Sequence, residues 1–341
     1  MALDVPVLLL ALFFSLSVSG NAQSKVPAIY VFGDSSADVG NNNYLPDIAK
    51  ANCLPYGIDF PHSRPTGRYT NGYNGIDFFA RQMGLRMSPP PYLSLPKNTS
   101  NRVGVNYASG GSGILDSTGP NTITMTKQIK YFATTNKSNI VLSKSIFLIS
   151  TGANDIIAFV PNNMTPINTQ IERFCNTLIS NYTKHIEALY NLGARKFGII
   201  DIGPVGCCPF ARRLSNHSGA CFNVMNDLAV GVNDAVKTML SNLSSTLKGM
   251  KYSLGSYYAA VSNMIANPEA AGFKDVQSAC CGGKSSADCT PTATYCENRN
   301  EYLFWDAIHA TQRTYEEAVL DIYSGSPPFV TPINFKQLVK E

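Results

Sequence analysis

Two segments far apart in this sequence carry side chains that together could attack a carbonyl group. Ser35 follows the apolar run 26–32 and Gly33, a residue that lets the backbone turn tightly. A serine at the carboxyl end of a buried strand lies where open α/β sheets bind ligands. It can act as a nucleophile only if a base reaches it, and His309 is the base candidate.

His309 is distinguished from the other three histidines by a nearby carboxylate. Asp306 lies three residues earlier, and residues at that spacing share one face of a helical turn. Asp306 could then accept a hydrogen bond from one ring nitrogen of His309 while the other nitrogen faces Ser35. The spacing therefore predicts a Ser-His-Asp arrangement for acyl transfer.

The elements that must position these residues alternate between strand and helix. Apolar runs without polar alternation are typical of strands buried on both faces, and their alternation with helices predicts a parallel α/β sheet. The predicted strands are 26–32, 102–108, 145–150, 196–202 and 252–258. The predicted helices are 171–189, 223–247 and 311–323. Neither an internal repeat nor a linker is evident, so residues 26–341 are interpreted as a single domain.

The N-terminal segment 1–22 is interpreted as a signal peptide. Residues 5–18 are almost wholly apolar, and small residues end the segment at Ala22. The run is shorter than the roughly 20 residues that span a bilayer. Asp4, without any Lys or Arg beside it, departs from the usual basic start. We expect a secreted or extracellular protein, with the cell wall or the vacuole as open destinations and no membrane span in the mature form.

Glycosylation sequons and cysteines agree with secretion. Asn-x-Ser/Thr occurs at Asn98, Asn136, Asn163, Asn181, Asn216 and Asn242. The nine cysteines are an odd number, so at least one thiol is unpaired or pairs between molecules. We expect disulfides between Cys207 and Cys221, and between Cys280 or Cys281 and Cys289 or Cys296. The cluster 280–296 lacks a paired CxxC repeat and contains no histidine, so no metal site is expected there.

The charge distribution disfavours several classes of partner. The formal net charge is +4, with Lys and Arg scattered rather than clustered. Without a basic stripe or interleaved aromatic residues, nucleic acid is not an expected partner. No specific protein partner is inferred.

Four blocks in this order resemble the GDSL esterase/lipase family, the plant branch of the SGNH hydrolases. They are Gly33-Asp34-Ser35 with 38–43, 106–111, Gly152-Ala153-Asn154-Asp155, and 306–309. Two positions depart from the family pattern: Ser36 stands where the family has leucine, and Ala310 where it has proline. Blocks 41–43 and 67–72 also match, and we interpret them as supports of the site.

The resemblance implies a three-layer α/β/α sandwich with a five-stranded parallel sheet, similar to flavodoxin. It implies a catalytic triad of Ser35, Asp306 and His309, without metal or organic cofactor. It also implies an oxyanion hole made by the backbone amides of Ser35 and Gly111 and the side-chain amide of Asn154, with Gly110 as the neighbouring alternative to Gly111.

The leading hypothesis is a secreted serine esterase or lipase that hydrolyses carboxylic esters through an acyl-enzyme. Its activity should rise as the histidine loses its proton, at about pH 6–7. An acyltransferase with an alcohol acceptor would use the same residues. A non-catalytic lipid- or carbohydrate-binding protein on this scaffold is a third hypothesis. Lipid, polyester, acetylated sugar and phenolic esters all remain open as substrates, and so does the oligomeric state.

Overall fold

The computed structural model describes residues 25–96, 103–134, 138–160, 164–215, 219–282 and 289–341. The predicted signal peptide 1–22 lies outside the described residues, as do four of the sequons, at Asn98, Asn136, Asn163 and Asn216. The other two sequon asparagines lie on long helices. Asn242 is exposed, and Asn181 is half-buried and donates a side-chain hydrogen bond to the Thr177 carbonyl at 2.9 Å.

Within the described ranges, eight strands form two sheets. They are β1 (Ile29–Gly33), β2 (Gly104–Asn106), β3 (Ile146–Ser150), β4 (Lys196–Ile200), β5 (Lys251–Gly255), β6 (Asp275–Ala279), β7 (Tyr302–Phe304) and β8 (Val330–Thr331). The main sheet has the order β2-β1-β3-β4-β5-β8, and β6 pairs only with β7. The first five strands of the main sheet are parallel, as predicted, and β8 adds a short antiparallel edge beside β5.

Ten α-helices surround the main sheet within the described residues. They are α1 (Gly75–Gln82), α2 (Met125–Ala133), α3 (Asn139–Lys144), α4 (Ala153–Phe159), α5 (Asn168–Asn191), α6 (Pro209–Leu214), α7 (Asn223–Thr246), α8 (Tyr257–Ala266), α9 (Gln312–Ser324) and α10 (Phe335–Lys340). The three predicted helices correspond to α5, α7 and α9. The predicted fifth strand ends earlier than expected, because Tyr257 and Tyr258 begin α8.

Strand β1 shows why the fold has three layers. Tyr30 and Phe32 join the core that contains residues of α2, α5 and α7. Ile29 and Val31 join the opposite core, with residues of α1, α9 and α10. Because successive strand residues point to opposite faces, one continuous apolar run supplies both cores. The α/β sandwich fold is thereby confirmed.

Three disulfides confirm the expected pairings and resolve the open one. Cys207 is bonded to Cys221, Cys280 to Cys296, and Cys281 to Cys289. The remaining cysteines, Cys53, Cys175 and Cys208, are free thiols. The backbone amides of Cys280 and Cys281 donate to the carbonyls of Phe304 and Trp305, at 3.0 and 2.6 Å. The disulfide-linked segment is thus attached directly to the residues that precede Asp306.

No helix within the described part of the chain is both long enough and apolar enough to cross a bilayer.

Candidate active site

The turn that carries Ser35 is built around Gly33. Its φ is +137°, and a Cβ added there would lie 1.9 Å from the Ser150 carbonyl oxygen. Only glycine avoids both the strained backbone and that clash. Gln128, buried on α2, donates from Nε2 to the Gly33 carbonyl at 2.9 Å and accepts from the Gly33 amide at 2.8 Å. Both backbone polar groups of Gly33, at the end of β1, are therefore held by one side chain.

Ser35, His309 and Asp306 come together in one chain of hydrogen bonds. His309 Nε2 lies 2.8 Å from Ser35 Oγ, although the two residues are 274 positions apart. His309 Nδ1 lies 2.8 Å from Asp306 Oδ2 and 3.0 Å from Oδ1. With Nδ1 donating to the carboxylate, Nε2 is left to accept from the serine hydroxyl. All three predicted residues therefore meet in hydrogen-bonding geometry.

Asp306 is fixed by its own turn and by a distant tyrosine. Its Oδ1 accepts from the backbone amides of Ile308 and His309, at 2.8 and 2.7 Å. Residues 305–308 form a bend rather than the helical turn assumed from the spacing. Tyr56 donates its hydroxyl hydrogen to Asp306 Oδ2 at 2.8 Å. Nothing local in the sequence indicates Tyr56, because it lies 250 residues away.

The electrostatics of this pair keep Asp306 charged. Burial acts to raise the pKa of Asp306, but His309 and the hydrogen bonds that the carboxylate accepts outweigh burial, and its pKa is lowered. Burial likewise acts to lower the pKa of His309, and the adjacent Asp306 carboxylate more than reverses this, so its pKa is raised above 6.5. A histidine with a raised pKa is a stronger base for the serine proton.

The block 67–72 contacts the histidine segment directly. The Tyr69 ring packs on the imidazole of His309 with their centroids 5.1 Å apart. Thr70 Oγ1 donates to the Ala310 carbonyl at 2.9 Å, and Asn71 Oδ1 accepts from the Gln312 amide at 2.8 Å. These contacts hold the backbone after His309, where the proline of the family pattern is missing.

The three proposed oxyanion donors have different surroundings. The backbone N–H groups of Ser35 and Gly111 have no hydrogen-bond acceptor within the described ranges, whereas the Gly110 N–H donates to Asp38 at 3.0 Å. The N–H of Gly110 is therefore already hydrogen-bonded. The N–H of Gly111, whose φ is +84°, is the one of the two that remains available. Asn154 donates one Nδ2 hydrogen to the Ser112 carbonyl at 2.9 Å, which leaves its second hydrogen.

Asn154 lies on a helix and not in the strand that precedes it. It lies in the first turn of α4, four residues after β3 ends at Ser150. Ser35 and Asn154 line one cavity, and Gly111 is not among its lining residues. Gly111 instead directly precedes Ser112, the residue that holds the Asn154 amide.

Polar residues after Ser35 tie its turn to the 106–111 turn. Asp38, fully buried, accepts backbone hydrogen bonds from Gly40 and Gly110. Burial raises the pKa of Asp38 to about 6 despite these donors. Asn42 donates from Nδ2 to the Gly110 carbonyl at 2.9 Å, and Asn41 to the Ala108 carbonyl at 2.8 Å. The asparagine block therefore supports the site, as its sequence position predicts.

Ser36 makes polar contacts at the position where the family has leucine. Its Oγ lies 2.7 Å from Asp34 Oδ1 and 2.8 Å from Ser150 Oγ. Asp34 also accepts from the Ser36 amide at 2.9 Å, so this carboxylate fixes the turn. Burial raises the pKa of Asp34 to about 6.

The active-site cavity beside Ser35 has a volume of about 100 Å³. Its walls are mostly apolar and come from the loops that follow β3 and β4, from α8, and from the segment that carries His309. Apolar lining residues include Ile157, Ile202, Val205, Val261 and Phe304. Such a cavity suits the hydrocarbon part of a small molecule.

The sequence is similar to known proteins along most of its length. The family model described as GDSL-like Lipase/Acylhydrolase matches residues 29–322. The GDSL esterase/lipase At4g16230 of Arabidopsis thaliana is 37% identical over 360 residues, covering 97% of this chain and 95% of its own. GDSL esterase/lipase At1g71250 of the same plant is 36% identical over 358 residues, with the same coverages. A crystal structure from Parabacteroides merdae, proposed as a GDSL-like lipase, aligns with 88% of this chain and 97% of its own at 11% identity and a TM-score of 0.40.

Proposed function

The chain belongs to the family of GDSL-like lipases and acylhydrolases, which makes it a carboxylic ester hydrolase, and we propose that it works through Ser35, His309 and Asp306 with an acyl-enzyme. The observation that carries this proposal is the hydrogen-bond chain from Ser35 Oγ through the imidazole to Asp306. Each atom in that chain has the partner that general-base catalysis requires.

The reaction proceeds in two halves. Ser35 Oγ attacks the ester carbonyl carbon while His309 Nε2 takes the hydroxyl proton, and the imidazolium formed is stabilised by Asp306. His309 then gives that proton to the departing alcohol, leaving the acyl group on Ser35. A water molecule, deprotonated by His309, attacks the acyl-enzyme, and the carboxylic acid leaves as Ser35 regains its proton.

We assign the oxyanion hole to the free amides of Ser35 and Gly111 and the second Nδ2 hydrogen of Asn154. Fixed donors aimed at the developing negative oxygen cost no reorganisation during the reaction. The availability of the Gly111 N–H, against the occupied N–H of Gly110, supports this choice.

The pH dependence of kcat/KM tests this function. Because only neutral His309 can accept the proton, activity is lost below its pKa and reaches a plateau above it. The pKa of His309 is raised, so we expect the inflection for a chromogenic ester to lie above pH 6.5. Activity that stays level from pH 5 to 9 would contradict a histidine base.

We also propose that the protein is secreted after removal of residues 1–22. Support comes from the apolar N-terminal sequence and from three disulfides, which are typical of oxidising compartments. Mass spectrometry of the N-terminal peptide, after expression in a eukaryotic secretory host, is expected to find Gln23 as the first residue. An intact Met1 on the secreted chain would rule out the cleavage.

A further inference from the structure

A second cavity lies behind Ser36, on the side of the sheet covered by α1 and α9. We call it the rear cavity. It has a volume of about 30 Å³, and its walls include Ile76, Phe79, Ile200, Ala318 and Val319. Of these, Ile76, Phe79 and Ala318 are each only 1% exposed, so the walls belong to the protein interior.

The rear cavity adjoins the active-site cavity at four shared residues, which we call the neck. They are Ser36, Ser150, Tyr257 and Tyr315. The Ser36 and Ser150 hydroxyls form a hydrogen bond of 2.8 Å, and the two tyrosine rings stack with centroids 6.0 Å apart. The neck therefore begins at the residue next to the nucleophile in the chain.

The two halves of an ester have different requirements for space around Ser35. The alcohol must leave before water can attack the acyl-enzyme, so it needs a route to solvent. The acyl chain stays covalently attached to Ser35 and can occupy a closed apolar space. Since the rear cavity is lined by buried apolar side chains beyond the neck, it suits the acyl chain.

We propose that the acyl chain of the substrate passes Ser36 and ends in the rear cavity, so that Ser36 and Ala318 determine its length. This inference rests on the proposed function of Ser35 as nucleophile. About 10–15 Å³ holds one water-sized group, so the rear cavity accepts roughly the last two carbons of the chain. The preferred acyl group is therefore expected to be longer than acetyl and shorter than decanoyl.

The identity of residue 36 matters because a larger side chain would occupy the neck. Ser36 carries a single hydroxyl group, whereas leucine, the residue of the family pattern, would put a branched four-carbon side chain in the same place. Leucine at this position would add bulk to the wall that the two cavities share. The serine therefore acts on specificity as well as on the turn.

The test compares p-nitrophenyl esters of two, four, six and ten carbons on the full-length secreted protein. For the wild type we expect kcat/KM to be about 15-fold higher for the hexanoyl than for the acetyl ester, because each of the two carbons in the rear cavity contributes about fourfold. The decanoyl ester, too long for the rear cavity, is expected to fall below the hexanoyl ester.

Two variants add bulk, one in the rear cavity and one in the neck, and each has a matched control. Ala318→Val fills the rear cavity and is compared with Leu320→Val, an exposed position on the same helix. Ser36→Leu fills the neck and is compared with Ser36→Ala, which removes the same hydroxyl without adding bulk. We expect both filling variants to lower the hexanoyl-to-acetyl ratio by at least about fivefold, and both controls to keep the wild-type ratio.

The outcomes separate this inference from the proposed function. If the wild type hydrolyses esters but both filled variants keep its chain-length ratio, the rear cavity is only packing space and the proposal is wrong. If no ester is hydrolysed, the proposed function itself fails. Should the filled variants not fold, Val319→Ala enlarges the rear cavity instead. It is expected to move the optimum up by about one to two carbons, and an unmoved optimum would overturn the proposal.

Discussion

Replacing Ser35 by alanine is expected to lower kcat for ester hydrolysis by at least about 10⁴-fold, because the reaction then lacks the atom that forms the acyl-enzyme. The alanine variant also loses the hydroxyl that lies 2.8 Å from His309 Nε2, so no other group is held at that point. The measurement is kcat with a chromogenic ester, made beside labelling by an alkyl phosphonate that is located by peptide mass spectrometry.

Ser180→Ala provides the matched control for this change, because Ser180 is exposed on α5, away from the active-site cavity. It is expected to keep wild-type kcat and labelling. The Ser35→Ala chain is expected to melt as the wild type does, since the half-buried hydroxyl is lost without a change in the apolar core. Phosphonate attached to another residue in the wild type, or turnover that persists in Ser35→Ala, would contradict the assignment.

Replacing Asp306 by asparagine is expected to lower kcat by about 10⁴-fold while the fold is retained. Asparagine has nearly the same shape, and its carbonyl oxygen can still accept from the Ile308 and His309 amides. It has no negative charge. It therefore neither stabilises the imidazolium nor holds the proton of His309 on Nδ1, the nitrogen that faces residue 306. Because Asp306 raises the pKa of His309, the residual activity should have its inflection at lower pH than in the wild type.

Asp234→Asn, at an exposed position on α7, tests whether loss of any carboxylate has this effect. It is expected to leave both kcat and the inflection where they are. A purely structural role for Asp306 would lower the melting temperature together with kcat and would leave the inflection of the remaining activity unmoved. The shift of the pH profile is therefore the result that separates orientation of His309 from general support of the fold.

The parts of the site that could be predicted from the sequence depend on local pattern. Apolar runs located the strands, so the bend after β1 and the position of Ser35 followed from Gly33. The pairing of Asp306 with His309 could be predicted for the same reason, since the two residues lie in one short segment and are hydrogen-bonded within it.

The supporting residues could not be predicted, because their partners are set by the fold. Tyr56 reaches Asp306 across 250 positions and Gln128 reaches Gly33 across 95. Neither residue type nor spacing distinguishes them from other tyrosines and glutamines. The two-residue strand β8 is too short to give a period, and helix α4 was not predicted because it is short and begins three residues after β3 ends. The rear cavity depends on how α1 and α9 pack, which no sequence pattern encodes.

The distance between Ser35 and His309 along the chain has a consequence for biosynthesis. During translation the nucleophile is made 274 residues before its base, and the donor tyrosine of Asp306 is likewise made early. A nascent chain paused before Asp306 already holds the serine but has nothing to deprotonate it. Under the proposed mechanism, ester cleavage therefore begins only after the segment that carries Asp306 and His309 has docked beside Ser35.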